Sequence, residues 1–249
     1  MPVLSETLHA FDRHAVTYVS TWGADPLARV FRARVLACCA RFFPERARLL
    51  DLGCGPGLDA AVLEALGHTV VAVDASLGMV DAARARARDV RRADLDALDP
   101  LLAEAPFDGA LSNFGAINCL PDLDGFARVL PRLLRPGAHA VLVVINRWCP
   151  AEDLALLARG RRPRRHVDAV EVGGLPVSLR YLDAASVVRA LPAFELVHRE
   201  ALGALVPPPN LGGRPGRRAS LEPWVAGWPL VRDLGDHSLV VLQRRSERV

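Results

Sequence analysis

The sequence predicts a doubly wound α/β fold built on a mostly parallel sheet. Short runs rich in β-branched and leucine residues alternate with segments of helical periodicity between residues 46 and 146. The connections between runs are long enough for helical crossovers, which parallel strands require and hairpins do not. A bare glycine stretch, LLDLGCGPG at 49–57, follows the first run directly.

The elements follow in order. PLARVFRARVLACCARFF at 26–43 has apolar side chains at 27, 30, 31, 35, 38, 39 and 42, with Arg29, Arg32 and Arg41 opposite, so it reads as a helix that Pro44 closes. ARLLDLG is a short buried strand, and Leu58–Leu66 a helix ending at Gly67. HTVVAVDAS is a second strand, and Ser76 is placed to cap the helix through MVDAARARARD. Val90–Ala93 makes a weaker third strand, FDGALSNFGAIN a fourth, and AHAVLVVIN a fifth. A helix over Asp122–Leu134 stops at Pro136 and Gly137.

Beyond Asn146 the pattern changes. A short helix runs into the arginine-rich turn RGRRPRR (159–165), and DAVEVGGLPVSLRYL reads as a hairpin around Gly173–Gly174. Ala184–Ala190 is a helix, Phe194–Leu202 a strand, PPPNLGGRPGRR a long loop and Ser238–Arg244 a last strand. The expected organisation is one domain: a helical cap over 1–45, a core over 46–149, an inserted lid over 150–182, and the remaining strands over 183–249.

Composition narrows the chemistry. The chain has 249 residues, 51% of them hydrophobic, enough for a sizeable core. The apolar stretch Ala138–Ile145, broken by His139, is far short of the ~20 residues that span a bilayer, and the N-terminus lacks a signal-peptide pattern, so the expectation is a cytoplasmic protein with no membrane partner. All 31 basic residues other than histidine are arginine, which excludes a lysine Schiff base and a P-loop lysine. Five cysteines without ligand spacing point to reduced thiols and no metal site. RGRRPRR has no interleaved aromatics and the net charge is only +3, so it reads as a solvated face, or next as a clamp for an acidic substrate, and not as a nucleic-acid surface.

In an open parallel sheet, ligands bind beyond the carboxyl ends of the strands. The glycines after the first strand let backbone approach a ligand, and the following helix N-terminus favours a negative group. A dinucleotide loop would place its third glycine at 58, which is leucine here. Asp74 ends the second strand about twenty residues on, where a carboxylate accepts ribose hydroxyls. Asp94 and Leu95 follow the third strand, and Asn113-Phe114-Gly115 the fourth.

This order over 49–145 resembles the class I S-adenosylmethionine-dependent methyltransferases. DLGCGPG is similar to that family's first motif and VVAVDAS to its second. AFDRHAVTYVSTWGADP resembles its N-terminal segment, with Val19 where an aspartate is usual, and GDHSLVVLQRR its terminal strand. The nearest likeness is to bacterial small-molecule enzymes of the quinone-biosynthesis type.

The resemblance implies a Rossmann-like seven-stranded sheet and S-adenosyl-L-methionine as cofactor, leaving as S-adenosyl-L-homocysteine. Asp51 and the backbone of Gly53, Cys54, Gly55 and Gly57 would hold the methionine moiety, with Asn113 at the same end. Asp74 would take the ribose, with Ser76 and Met79 beside the adenosine, and Asp94 and Leu95 the adenine.

Methyl transfer from a sulfonium is an in-line displacement that needs alignment, and a base only where the acceptor loses a proton. His14 is the candidate base, against a surface or capping role, and Tyr18 a candidate contact to cofactor or substrate. Asn118, Asn146, Arg147 and Trp148 are candidate pocket residues. His139 and His237 read as structural, and His166 and His198 stay open. The expected partner is a small-molecule acceptor methylated at O, N or C, with a phenol or quinol-like oxygen favoured. Two alternatives remain: the same site serving a non-methylating reaction such as a cyclisation, or a nucleotide-binding regulator. Monomer and homodimer are both open.

Overall fold

Strand and helix segments alternate through the core as expected. The computed structural model describes residues 4–246 other than 164, 166–168 and 173, so Arg164, His166 and Gly173 lie outside the described residues. Helix α1 (Leu4–Tyr18) precedes α2 (Pro26–Phe42), which Asp25 starts by accepting the amides of Leu27 and Ala28 at 2.8 and 2.9 Å. Then come β1 (Arg48–Leu52), α3 (Leu58–Ala65), β2 (Thr69–Asp74), α4 (Leu77–Ala83), β3 (Asp89–Arg92) and β4 (Phe107–Ser112). Ser76 caps α4 as expected, its Oγ accepting the Met79 amide at 3.1 Å.

Helix α5 (Asp124–Leu133) runs straight into β5 (Leu134–Ile145), which begins earlier than the sequence suggests. Helix α6 (Pro150–Leu157) leads to the hairpin of β6 (Ala169–Val172) and β7 (Leu175–Ser178). Helix α7 (Ala184–Ala190), β8 (Phe194–Leu202), α8 (Arg217–Val225) and β9 (His237–Arg244) complete the chain. Helix α8 is a correction to the expected loop. It carries Pro223 and buries Ala219 and Glu222 while Leu221 and Trp224 stay exposed, so no apolar stripe marks it in the sequence.

Seven strands form one sheet in the order β3-β2-β1-β4-β5-β9-β8. The first five are mutually parallel, and β9 runs antiparallel to both β5 and β8. Both faces are covered. Leu50, Leu52, Val71 and Val73 face one apolar layer with Phe126 and Leu130 of α5, while Leu49, Val70 and Ala72 face another with Phe31 and Val35 of α2. That two-sided burial is why these strands read as continuous apolar runs. Strand order reverses between β1 and β4, so their carboxyl ends diverge into a crevice.

Candidate active site

A cavity of about 650 Å³ opens at the carboxyl edge of the sheet, under α1 and the β6–β7 hairpin. One end is built by the glycine loop and the strand ends. Gly53 and Gly55 line it, followed by Asp74, Ser76 and Met79 after β2, Asp94 and Leu95 after β3, and Asn113 after β4.

The glycines act differently. Gly53 has φ +74°, and a Cβ there would stand 2.2 Å from that of Ala116. Gly55 has φ +52° and nothing within 4 Å of a Cβ, so its bare backbone faces open cavity, a cradle that a side chain would partly fill. Gly57 does not line the cavity; it begins α3, and a Cβ would meet Ala83 at 3.1 Å. Cys54 is likewise off the lining, buried with Sγ 3.4 Å from the Gly55 carbonyl.

Asp74 holds the loop in place. Its Oδ2 accepts the Gly55 amide at 2.8 Å and its Oδ1 the Ser76 amide at 2.9 Å. Burial lifts its carboxyl to about 6, although those amides favour the anion. Each oxygen retains a lone pair for a hydroxyl donor.

Asp51, within β1, is not on the cavity wall; it lies beside α3, near Asp59 and the Ala60 amide. Burial, then the carboxylates of Asp59 and Asp74, push it well above the usual range. Its Oδ2 is buried without a hydrogen-bond partner. A cationic group reaching past the glycine loop would relieve both the charge crowding and the orphaned oxygen, so the residues present fit an ammonium-bearing nucleoside.

Helix α1 roofs the cavity. Asp12 accepts Ser76 Oγ at 2.7 Å and the Gly78 amide at 2.8 Å, clasping α1 to the start of α4. His14, Tyr18 and Trp22 then face inward. Burial lowers the His14 imidazole's proton affinity, and its ring sits edge-on to Tyr18 at 5.3 Å. Burial raises the Tyr18 hydroxyl, which pairs with Arg32.

The opposite end differs from expectation. Asn118, Asn146, Arg147 and Trp148 do not line the cavity. Asn118 is wholly buried, its amide donating to the carbonyls of Ile145 and Arg180 while its Oδ1 takes the Ile145 amide at 2.9 Å. Asn146 donates to the carbonyls of Trp148 and Asp233. Both asparagines clamp loops, and Arg147 and Trp148 point to solvent.

In their place stand Phe114, Arg165, Tyr181, Asp236 and His237. Phe114 adopts φ +52°, a costly conformation for a bulky residue, and its ring meets Trp22 at 5.6 Å and His237 at 5.7 Å. Arg165, expected on a solvated face, is buried between the carboxylates of Glu152 and Asp236. Sγ of Cys149 converges with those two carboxylates within 4.8 Å, and the cation that joins the carboxylates is Arg165.

His237 is also a correction, for it lines the cavity at 4% exposure. The signal lay in topology. A strand antiparallel to β5 must begin at the edge where the parallel strands end, so its first residue faces the ligand side. His139 by contrast packs on Phe42 at 5.3 Å, away from the cavity, and His198 pairs with Glu200 at 3.7 Å.

Comparison with known proteins agrees with this geometry. Residues 50–142 match the family described as a methyltransferase domain. A ubiquinone biosynthesis O-methyltransferase of Xanthomonas axonopodis pv. citri is 30% identical over 162 residues, covering 59% of this chain; the chain spans 64% of that relative's length. A protein of the same description from Methylocella silvestris is 28% identical over 96% of this chain and 86% of its own. Among solved structures, the CcbJ methyltransferase from Streptomyces caelestis superposes with a TM-score of 0.62 at 20% identity, over 97% of this chain and 99% of that one. Residues 50–142 thus form a methyltransferase domain, and the whole chain is similar in fold to a solved methyltransferase.

Proposed function

We propose that the protein binds S-adenosylmethionine and transfers its methyl group to a small aromatic acceptor, a phenol or quinol-like oxygen being favoured. The observation that carries this reading is the double character of one cavity. Its lining combines bare backbone and carboxylates at the ends of β1–β4 with the apolar and aromatic side chains of Leu8, Phe11, Trp22, Val177, Leu179 and Tyr181.

In this reading Asp74 accepts the ribose hydroxyls, and Ser76 and Met79 flank the adenosine. Asp94 receives the exocyclic amine and Leu95 packs the adenine. Gly53, Gly55 and Asn113 border the methionine end, with Asp51 answering the ammonium from below. When bound, the cofactor supplies an electrophilic methyl on a leaving group that needs no protonation. The chain's own contribution is alignment and exclusion of water, with α1 and the β6–β7 hairpin as lid. His14 and Tyr18 line the roof, and burial disfavours both the protonated His14 ring and the ionised Tyr18 hydroxyl. The likeness to ubiquinone biosynthesis O-methyltransferases supports an oxygen acceptor.

Calorimetric titration with S-adenosylmethionine and S-adenosylhomocysteine, with NADH as control, tests the reading. Micromolar binding of the sulfur compounds alone is expected. Binding of NADH in their place would favour a nucleotide-binding regulator. Turnover of an acceptor without release of S-adenosylhomocysteine would favour a non-methylating use of the site.

A further inference from the structure

We propose that His237, backed by Asp236, is the general base of this cavity, taking the proton of an acceptor hydroxyl at Nε2. The proposal rests on the methyltransferase reading and adds a catalytic residue to it.

Three features of the structure support it. His237 Nδ1 stands 3.2 Å from Asp236 Oδ2, within ion-pair reach although the two atoms make no hydrogen bond. That nitrogen has no solvent contact and the residue lines the cavity, which leaves Nε2 as the nitrogen available to an acceptor. The ring is also rigidly placed. His237 opens β9 in register with Ile145 on one side and Leu202 on the other, between the edges of Phe31 at 6.3 Å and Phe114 at 5.7 Å.

Asp236 is itself immobilised. Its carboxylate pairs with Arg165, and its carbonyl takes Arg165 Nη1 and the Asn146 amide, each at 3.0 Å. Burial would raise its carboxyl, but His237 and Arg165 outweigh that and hold it far below the usual range, so it stays an anion. Arg165 is shared with Glu152, and its guanidinium lies 5.5 Å from the Tyr181 ring centroid.

The position suits the chemistry. Phe114 follows Asn113, the residue assigned to the methionine end, and its ring touches His237. Gly115, next in sequence, would drive a Cβ to within 2.6 Å of Ile145, the register partner of His237. An acceptor seated in the aromatic half therefore has the methyl donor on one side and the imidazole on the other. As the acceptor O–H breaks, its proton passes to Nε2. The oxygen's electron pair forms the bond to the methyl carbon, and sulfur keeps the pair of the bond that breaks. The proton then leaves His237 for solvent. His14 also lines the cavity but pairs with no carboxylate among the described residues; it meets Thr17 Oγ1 at 3.4 Å.

The test uses 4-nitrocatechol, whose visible absorbance reports ionisation of its phenol, with the full chain in the presence and absence of S-adenosylhomocysteine. For the wild type, the bound probe should show an ionised-to-neutral ratio at least tenfold above that in buffer at the same pH. His237→Gln should bring that ratio to within twofold of buffer, while S-adenosylhomocysteine affinity stays within threefold. His14→Gln should retain the ionisation. Failure of the wild type to bind or ionise the probe, equal ionisation by His237→Gln, or loss with His14→Gln alone overturns the proposal.

If His237→Gln does not fold, imidazole nitrogen NMR of the wild type decides. A bare Nε2 that becomes protonated on probe binding supports the base; a permanently protonated Nε2 overturns it. Failure of the wild type to bind S-adenosylhomocysteine would overturn the cofactor reading instead, and the ionisation measurement without it still judges His237.

Discussion

At the scale of single residues, the electrostatics of Asp74 make its proposed ribose contact testable. Its carboxyl is lifted to about 6 by burial, so the folded chain holds that proton more tightly than the unfolded chain, whose aspartate has its ordinary value of 3.8. Stability from this group is therefore fully present below pH ~3.8 and lost as pH rises through about 6, in total ~3 kcal/mol. Asp74→Asn does not titrate. Its stability relative to wild type should thus rise between pH 4 and 6.5, read from urea midpoints, whatever the fixed cost of the lost acceptor. Cofactor affinity should move the other way. Wild-type binding strengthens as pH rises through 6, and Asp74→Asn binds on the order of 100-fold more weakly at pH 7.5, the worth of charge-assisted hydrogen bonds. A pH-independent gap in both measurements would remove Asp74 from the ribose site. Gly55→Ala tests the neighbouring feature. Its methyl would project into the cavity from a left-handed backbone, so it should cost about 1–2 kcal/mol of stability and at least tenfold in S-adenosylhomocysteine affinity.

At the scale of elements, the junction of α1 with α4 holds the helix that covers the cavity. Gly78 carries no side chain because a Cβ would lie 2.8 Å from the Asp12 carbonyl oxygen and 2.9 Å from its Cα, backbone atoms that cannot give way unless α1 moves. Gly78→Ala should therefore push α1 off the cavity at a cost of about 1–3 kcal/mol. Hydrogen exchange in residues 4–18 should accelerate by tenfold or more, with weaker cofactor binding. Unchanged exchange in that helix would mean α1 is not held by this contact. Helix α2 ties the two ends of the chain together by another route: Arg34 bonds Glu200 of β8 and Glu222 of α8 at 2.9 and 2.7 Å. That pairing gives α8 a reason to form despite its exposed Trp224 and Leu221.

At the scale of the whole molecule, Arg165 joins parts far apart in sequence. It links Glu152 of α6, the Asn146 carbonyl after β5, and Asp236 before β9. Arg165→Met would leave two buried carboxylates without their cation, at a cost of about 3–5 kcal/mol. For a chain this long that corresponds to a fall in melting temperature of roughly 6–20 °C. A drop of less than about 2 °C would show that water reaches those carboxylates. Nothing local to the arginine run signals this role, since burial of its last member depends on acidic residues 13 positions before and 71 after it.

The sequence by itself determined the parallel core and one end of the cavity. Gly53, Gly55, Asp74, Ser76, Met79, Asp94, Leu95 and Asn113 sit at strand ends, where local order alone dictates who faces the ligand. It also marked Asp51, Cys54 and Gly57, which the structure leaves off the cavity lining: Asp51 is held within β1, Cys54 packs into the core and Gly57 begins α3. The other end was decided by tertiary structure. Asn118 and Asn146 follow strands β4 and β5 as expected, yet loop carbonyls nearby in space claim their amides. His237 reads as a turn residue until the antiparallel return of β9 carries it to the cavity edge beside Phe114. Short-range signals suffice for a site built on consecutive βα units. A pocket assembled from α1, the β6–β7 hairpin and the start of β9 depends on contacts between residues more than two hundred positions apart, and only the folded chain brings them together.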